Sequence, residues 1–282
     1  MQAFWKRLAP MRFRIQLLSG VAMNSWFLAP WLKGVPCPGF NCYACPTANF
    51  ACPIGSLQLF AAIKTVPVYL LGTLALVGTL VGRFACGWLC PFGWFQELIH
   101  RIPVPKWRLP NRFNWTRYFA LVVLVGIIPF LTGEPWFSKL FPWGGLEAAI
   151  PQAILVPQLR SNIGLLYWIK MAILAIFLVW MAVTRRPFCR WVCPLGAIWG
   201  LFNPISMMGL RVSDERCIRC GACKEACPVD ILVYENPNAS ACIRCLECSR
   251  VCPGDAISWA PLGIGELLPG VETDEDGIAV EV

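Results

Sequence analysis

The chain has 282 residues, of which 57% are hydrophobic, 14% are charged, sixteen are cysteine and one is histidine. Its net charge of +8 comes from basic residues that flank apolar stretches, which excludes a nucleic-acid footprint and points to a membrane protein. A lone histidine, His100, with no C-x-x-C-H run, excludes a self-contained cytochrome.

Residues 1–14 carry Lys6, Arg7, Arg12 and Arg14 ahead of an apolar stretch from about Phe13 to Leu32. The stretch lacks a convincing small-residue cleavage site and is expected as a first transmembrane helix rather than a signal peptide. A loop follows with Cys37, Cys42, Cys45 and Cys52 among prolines and glycines. Four thiolates are one cluster's complement of ligands. Zinc or a pair of disulfides on an outer face is the competing reading.

A second helix is expected from about Leu57 to Val81, with Lys64 and Pro67 interrupting its first half. It closes in Phe-Ala-Cys86-Gly-Trp-Leu-Cys90-Pro-Phe-Gly. A basic connector leads to a third helix over about 118–131. A connector with few basic residues, 132–162, leads to a fourth over about 163–183, which closes in Phe-Cys189-Arg-Trp-Val-Cys193-Pro-Leu-Gly. The two C-x3-C-P motifs form an internal repeat, each ending a helical pair, and repeats of this kind pack about a pseudo-two-fold axis. Residues i and i+4 share a helix face, so Cys86, Cys90, Cys189 and Cys193 are expected to hold one cluster between them. Two buried half-motifs that bind nothing are the alternative.

Residues 217–253 carry the strongest signal. Cys217, Cys220, Cys223 and Cys227-Pro228 make one C-x2-C-x2-C-x3-C-P run, and Cys242, Cys245, Cys248 and Cys252-Pro253 make another. This is the bacterial two-cluster ferredoxin pattern, in which the fourth cysteine ligates the other cluster. Cys217, Cys220, Cys223 and Cys252 are therefore expected on one [4Fe–4S] centre, and Cys242, Cys245, Cys248 and Cys227 on the other. Zinc knuckles pair two short hooks instead, and C-x-x-C spacings like these imply metal ligation rather than disulfides.

The expected fold is an all-α membrane protein with four transmembrane helices in two repeated pairs, followed by a small α+β ferredoxin domain. The expected divisions are 1–212 for the membrane part, 213–259 for the ferredoxin, and 260–282 for a tail with six acidic residues. Lys and Arg cluster at the N-terminus and in 83–117 and 185–216, which puts both termini and the ferredoxin domain in the cytoplasm, at the inner membrane. The loop 37–52 then lies outside. About 25 helical residues separate it from Cys86, roughly 37 Å at the usual rise. That is too far for one tunnelling step, so the loop is expected to fold back between helices, or a partner or quinone to fill the gap.

Lys64 and Lys170 fall in the outer halves of their helices, where snorkelling to the interface accounts for them. The functional alternative has them contact a quinone carbonyl or tune the outer cluster. Glu134 and Glu147 on the outer connector are candidate acceptors of quinol protons, with surface solvation as the plainer reading, and His100 is expected to border a cytoplasmic segment.

On its two C-x3-C-P motifs (86–91 and 189–194) and two ferredoxin runs (217–228 and 242–253), the chain resembles membrane-bound polyferredoxins of the NapH/MauN type, relatives of the NosR group. The resemblance implies a quinol dehydrogenase membrane component, with partners in the lipid bilayer, the quinone pool and other redox subunits. The chain is expected to differ from the NosR type in having no large flavin-binding domain ahead of its first helix, and from the nitrate-reductase type in its Cys37–Cys52 loop. A metal-reducing assembly factor for a respiratory oxidase, suggested by the CcoG group, is the alternative. That group carries a further β-rich domain, which the thirty residues after Cys252 are too short to form.

Overall fold

The structure is a computed structural model that describes residues 5, 7–42, 44–109, 111–262, 272–273 and 279–280. The chain divides into two compact units. The first comprises Met1–Phe13, Gly72–Trp88 and Gly196–Val282, and the second Arg14–Leu71 and Leu89–Leu195.

Helix α1 (Arg12–Met23) is followed by α2 (Pro53–Ala62) and α3 (Val68–Val81). The run expected as one helix over 57–81 is thus two helices. Lys64 sits at φ 57°, the left-handed conformation that ends a helix, and Pro67 has no N–H to continue one. The first helix also stops short of Leu32. The side chains of Asn24 and Ser25 donate to the carbonyls of Gly20 and Val21, which competes with the helical ladder.

Next come α4 (Phe84–Trp88), α5 (Pro91–Ile99), the helical run α6 (Phe113–Thr132) and α7 (Leu165–Val183). Both α6 and α7 are long and apolar enough to cross a membrane, and only 22% and 11% of their apolar windows are buried, unlike the core helix of a soluble protein. Helices α2 and α3 are apolar but shorter. Four continuous spans are therefore not seen among the described residues. Helices α8 (Pro187–Trp191) and α9 (Pro194–Phe202) complete the run.

A proline follows a cysteine at seven positions in the chain, and it acts on the cysteine itself. The residue before proline is driven into extended backbone. Cys52 and Cys90 accordingly have ψ of 116° and 114°, while Pro53 and Pro91 open α2 and α5. Cys227 and Cys252 have ψ of 121° and 114°. Each of these four cysteines thus stands at a helix end in extended backbone.

In the first unit, strands β1 (Met208–Val212) and β2 (Ile257–Pro261) pair antiparallel, with Leu210 opposite Trp259. The short helices α10 (Ala222–Ala226) and α11 (Glu247–Val251) lie between them in sequence. Leu210, Val229, Val233, Ile243, Ile257 and Trp259 are buried. The acidic stretch expected over 260–282 falls, beyond Leu262, almost wholly outside the described residues. The second unit has an aromatic core. Phe40, Phe92, Phe141 and Phe188 are buried, with ring centroids 4.9 Å apart for Phe40–Phe141 and for Phe92–Phe188.

Candidate iron–sulfur sites

The cysteines of the two ferredoxin runs group across the runs. Cys217, Cys220, Cys223 and Cys252 line one cavity. Cys227, the fourth cysteine of the first run, interacts instead with Cys242 and Cys245, and Cys248 interacts with all three. Burial pushes the thiol of Cys227 up to about 12 and that of Cys242 up to about 11, so neither would ionise at neutral pH without a cation to stabilise it. Iron supplies that charge, and loading the site releases protons. No three His, Cys, Asp or Glu side chains among the described residues converge on a single-ion site. The donor sets fit a cubane, in which each cysteine caps a different iron. The two sets differ in exposure. Cys220 is exposed and Cys217 half-buried, whereas Cys242, Cys245 and Cys248 are buried.

Within the first unit, the segment that carries Cys86 is fastened to the second ferredoxin run. Arg83 Nη1 donates to the carbonyls of Ser240 and Ala241 at 3.0 and 3.1 Å, and the Trp88 indole N–H donates to Arg244 O at 3.0 Å. Between them Gly87 lies so close that a Cβ there would collide with the carbonyl of Ile243. Buried Arg244, at φ 53°, donates to the carbonyls of Met208 and Asn203. Its counterpart in the first run, Arg219, shares the left-handed backbone at φ 50° but is exposed. Both follow an isoleucine in Cys-Ile-Arg-Cys, and the runs themselves carry no sign of which arginine is buried.

Within the second unit, the loop 37–52 lies against Cys90. The Phe40 N–H points at Cys90 Sγ at 3.4 Å, and a Cβ on Gly39 would stand 2.9 Å from Cys90 Cα. All four loop cysteines are buried. Cys37 interacts with Cys52 and Cys90, Cys52 with Cys42, and Cys42 with Cys45, so the four thiols form one neighbourhood. Asn49 and Asn41 hold the loop by donating to the Ala22 and Met23 carbonyls at the end of α1. The C-x3-C-P cysteines Cys90, Cys189 and Cys193 are buried in the same unit, and Cys86 is buried in the first. Gln96 Nε2 donates to Cys189 Sγ at 3.1 Å, a hydrogen bond that no motif announces. Replacing Gly39 with alanine is expected to cost about 1–3 kcal/mol, because the new methyl meets backbone that cannot swing away. Thermal melts of the two loaded proteins check it; equal midpoints would mean the loop is free of Cys90.

The sequence-predicted polar contacts separate. Lys64 is exposed at the helix break, its Nζ 5.1 Å from the Phe130 ring centroid. Glu134 is exposed and paired with Lys139 at 2.6 Å. Lys170 lies at the loop: its Nζ and Cys42 Sγ both fall within 3.4 Å of where a Gly144 Cβ would stand. Glu147 lies there too, with Oε2 accepting from the Cys42 N–H at 2.9 Å, and burial pushes its carboxyl up to about 8. Surface solvation does not describe Glu147. The signal for it was its setting, a single acid in the apolar run Gly-Leu-Glu147-Ala-Ala-Ile. His100 caps the end of α5.

Two families, both described as 4Fe-4S binding domain, match the chain. One matches over 65–110 and again over 166–209, the other over 210–233 and 236–258. The first therefore recognises both halves of the repeat, and neither reaches the loop 37–52. Among curated proteins the chain is similar to the methylamine utilization ferredoxin-type protein MauN of Methylorubrum extorquens, at 30% identity over 52% of this chain and 47% of that one. It is 24% identical to the putative electron transport protein YccM of Escherichia coli, over 61% of this chain and 48% of that one. It is 23% identical to the ferredoxin-type protein NapH of Haemophilus influenzae, over 80% of this chain and 74% of that one. The chain is thus similar to polyferredoxins of the NapH/MauN type and to the related NosR. The chain spans about half the length of MauN and YccM. No solved structure matches it. Both matched families are described by 4Fe-4S binding, which agrees with the cysteine sets described above.

Proposed function

We propose that the chain carries electrons between the quinone pool of a membrane and a partner redox protein through four [4Fe–4S] clusters. The clusters are held by the loop 37–52, by the two C-x3-C-P motifs, and by the crossed ferredoxin sets. The observation that carries this reading is the contact of the loop with Cys90, which removes the 37 Å gap that a straight helix would impose. The bonding of Arg83 and Trp88 to residues 240–244 supports the next step, towards the Cys242 set. The first-run set comes last. With Cys217 and Cys220 nearest solvent, and Ile218 72% exposed between them, it is the set placed to exchange electrons with a partner.

Membrane residence rests on the apolar, little-buried α6 and α7, and on the basic segments at the ends of the apolar runs. Each proposed cluster uses a complete set of four cysteines, so all sixteen find a role. The quinone end is tested by mixing the loaded full-length chain, in lipid nanodiscs without oxygen, with duroquinol. Bleaching of the cluster absorbance, together with a reduced-cluster EPR signal, is expected. Reduction by dithionite but never by any quinol, with clusters that remain oxidised over minutes, would remove quinol as donor and leave an electron carrier fed by another protein.

A further inference from the structure

Helices α2 and α5 open on the same local pattern, Cys-Pro-x-Gly-x-x-Gln, in which Cys52-Pro53 leads to Gln58 and Cys90-Pro91 to Gln96. Both glutamines are fully buried in the second unit. Each donates to the carbonyl four residues earlier, Gln58 to Ile54 and Gln96 to Phe92. Their other bonds reach a distant segment. Gln58 accepts from the Ser138 N–H and donates to the Ser138 hydroxyl at 2.8 Å. Gln96 accepts from the Phe188 N–H at 3.2 Å and donates to Cys189 Sγ at 3.1 Å. The same arrangement thus serves a hydroxyl in one place and a sulfur in the other. A backbone N–H can only donate, so the amide oxygen of Gln96 must face Phe188 and its amino group must face the sulfur. Cys189 is therefore the acceptor, the part that a metal-bound thiolate plays. Glu97, next in α5, pairs with buried Arg186 at 2.7 Å, which fixes α5 against the start of α8.

We infer that Gln96 is a positioning residue for the C-x3-C-P cluster: its N–H holds Cys189 Sγ and raises the potential at which that cluster accepts an electron. The inference rests on the reading above that Cys189 is a cluster ligand. Reduction adds one electron, and so one negative charge, to a centre that already carries four thiolates. An N–H aimed at a ligand sulfur favours the more negative state, and hydrogen bonds to the sulfurs are among the levers that set cluster potentials. Gln96, Phe188 and Cys189 are all buried, so water does not compete for the sulfur and the local dielectric is low. The repeat confines the bond to one side. The second copy places Trp199 where the first has Gln96, and the single indole N–H of Trp199 donates to Leu74 O within the first unit. That copy has no amide at this position to serve a sulfur.

The test is a redox titration followed by EPR on the iron-loaded, full-length chain in detergent, without oxygen and with dithionite as reductant. The signal that Cys189→Ala removes identifies the cluster. Gln96→Leu takes away the donor, and the equilibrium constant for reducing that cluster is expected to fall about tenfold, the worth of one hydrogen bond. For a one-electron couple that is a drop of about 59 mV. Gln96→Glu keeps an oxygen for the Phe188 N–H but turns a carboxylate to the sulfur, and is expected to lower the midpoint further. Gln58→Leu strands a backbone N–H in the same way, at Ser138, and is expected to leave that midpoint where it is. Iron content is measured for each variant. An unmoved midpoint in both Gln96 variants overturns the inference. An equal shift in Gln58→Leu overturns it too, because the effect would then be one of stability. Loss of about four irons from both Gln96 variants also overturns it, since the glutamine would then be a prop for the fold. If Cys189→Ala keeps every iron and every signal, the cluster reading itself falls, and the inference with it.

Discussion

Anaerobically purified protein is expected to contain about sixteen irons per chain and as much acid-labile sulfide, four cubanes' worth. A Cys37→Ser preparation is expected to contain about twelve, with the ferredoxin signals intact. The four loop cysteines are buried together and lie outside both matched families, so this loss of about four irons separates a cluster from a structural loop. About eight irons in the unmodified chain would confine the clusters to the ferredoxin runs and remove the proposed path. Serine at Cys227 is expected to abolish the signal of the Cys242 set, and serine at Cys252 that of the Cys217 set. The reverse pairing would show that the runs do not exchange their fourth ligand.

The second large effect is expected at Arg244. Its guanidinium is buried, donates to the Met208 and Asn203 carbonyls, reaches Asn238 Oδ1 at 3.3 Å, and lies 5.3 Å from the Trp259 ring centroid. Leucine there would leave the Met208 and Asn203 carbonyls to share the single Ser206 hydroxyl, at a cost of about 3 kcal/mol. Arg219→Leu, the same change in the exposed first run, is expected to cost less than about 0.5 kcal/mol. Denaturant melts of the two loaded variants give the comparison. Equal losses would mean that Arg244 matters only through its backbone, whose N–H lies 3.4 Å from Cys242 Sγ.

Much of this was legible because cysteine spacing and proline are local signals. The crossed ferredoxin sets follow from C-x2-C-x2-C-x3-C-P, and the extended backbone at Cys52, Cys90, Cys227 and Cys252 follows from the proline after each. Lys64 and Pro67 were visible as an interruption of the second helix, but not as the end of one helix and the start of another. Hydropathy does not register a left-handed residue, so the run from 57 to 81 reads as continuous. The polar contacts were harder still. Glu134 and Glu147 share one connector; the apolar run around Glu147 sets it apart, but only the fold puts one against Lys139 in solvent and the other against Cys42. Gln96 at Cys189, and Phe40 at Cys90, are contacts between residues 93 and 50 positions apart, beyond any motif.

The position of the loop also dictates an order of biosynthesis. Cys37 to Cys52 leave the ribosome early, but the parts that enclose them do so late. Cys42 bonds to Glu147, 105 residues downstream, and the Phe40 ring packs on Phe188, 5.7 Å between centroids. Until those segments have emerged, the four thiols stand open to water and to oxidants. A nascent chain stalled before residue 147 would present them as reactive thiols, whereas the finished chain hides them. A cluster in this loop would therefore need its iron delivered after most of the polypeptide is made, and before the aromatic core closes over it.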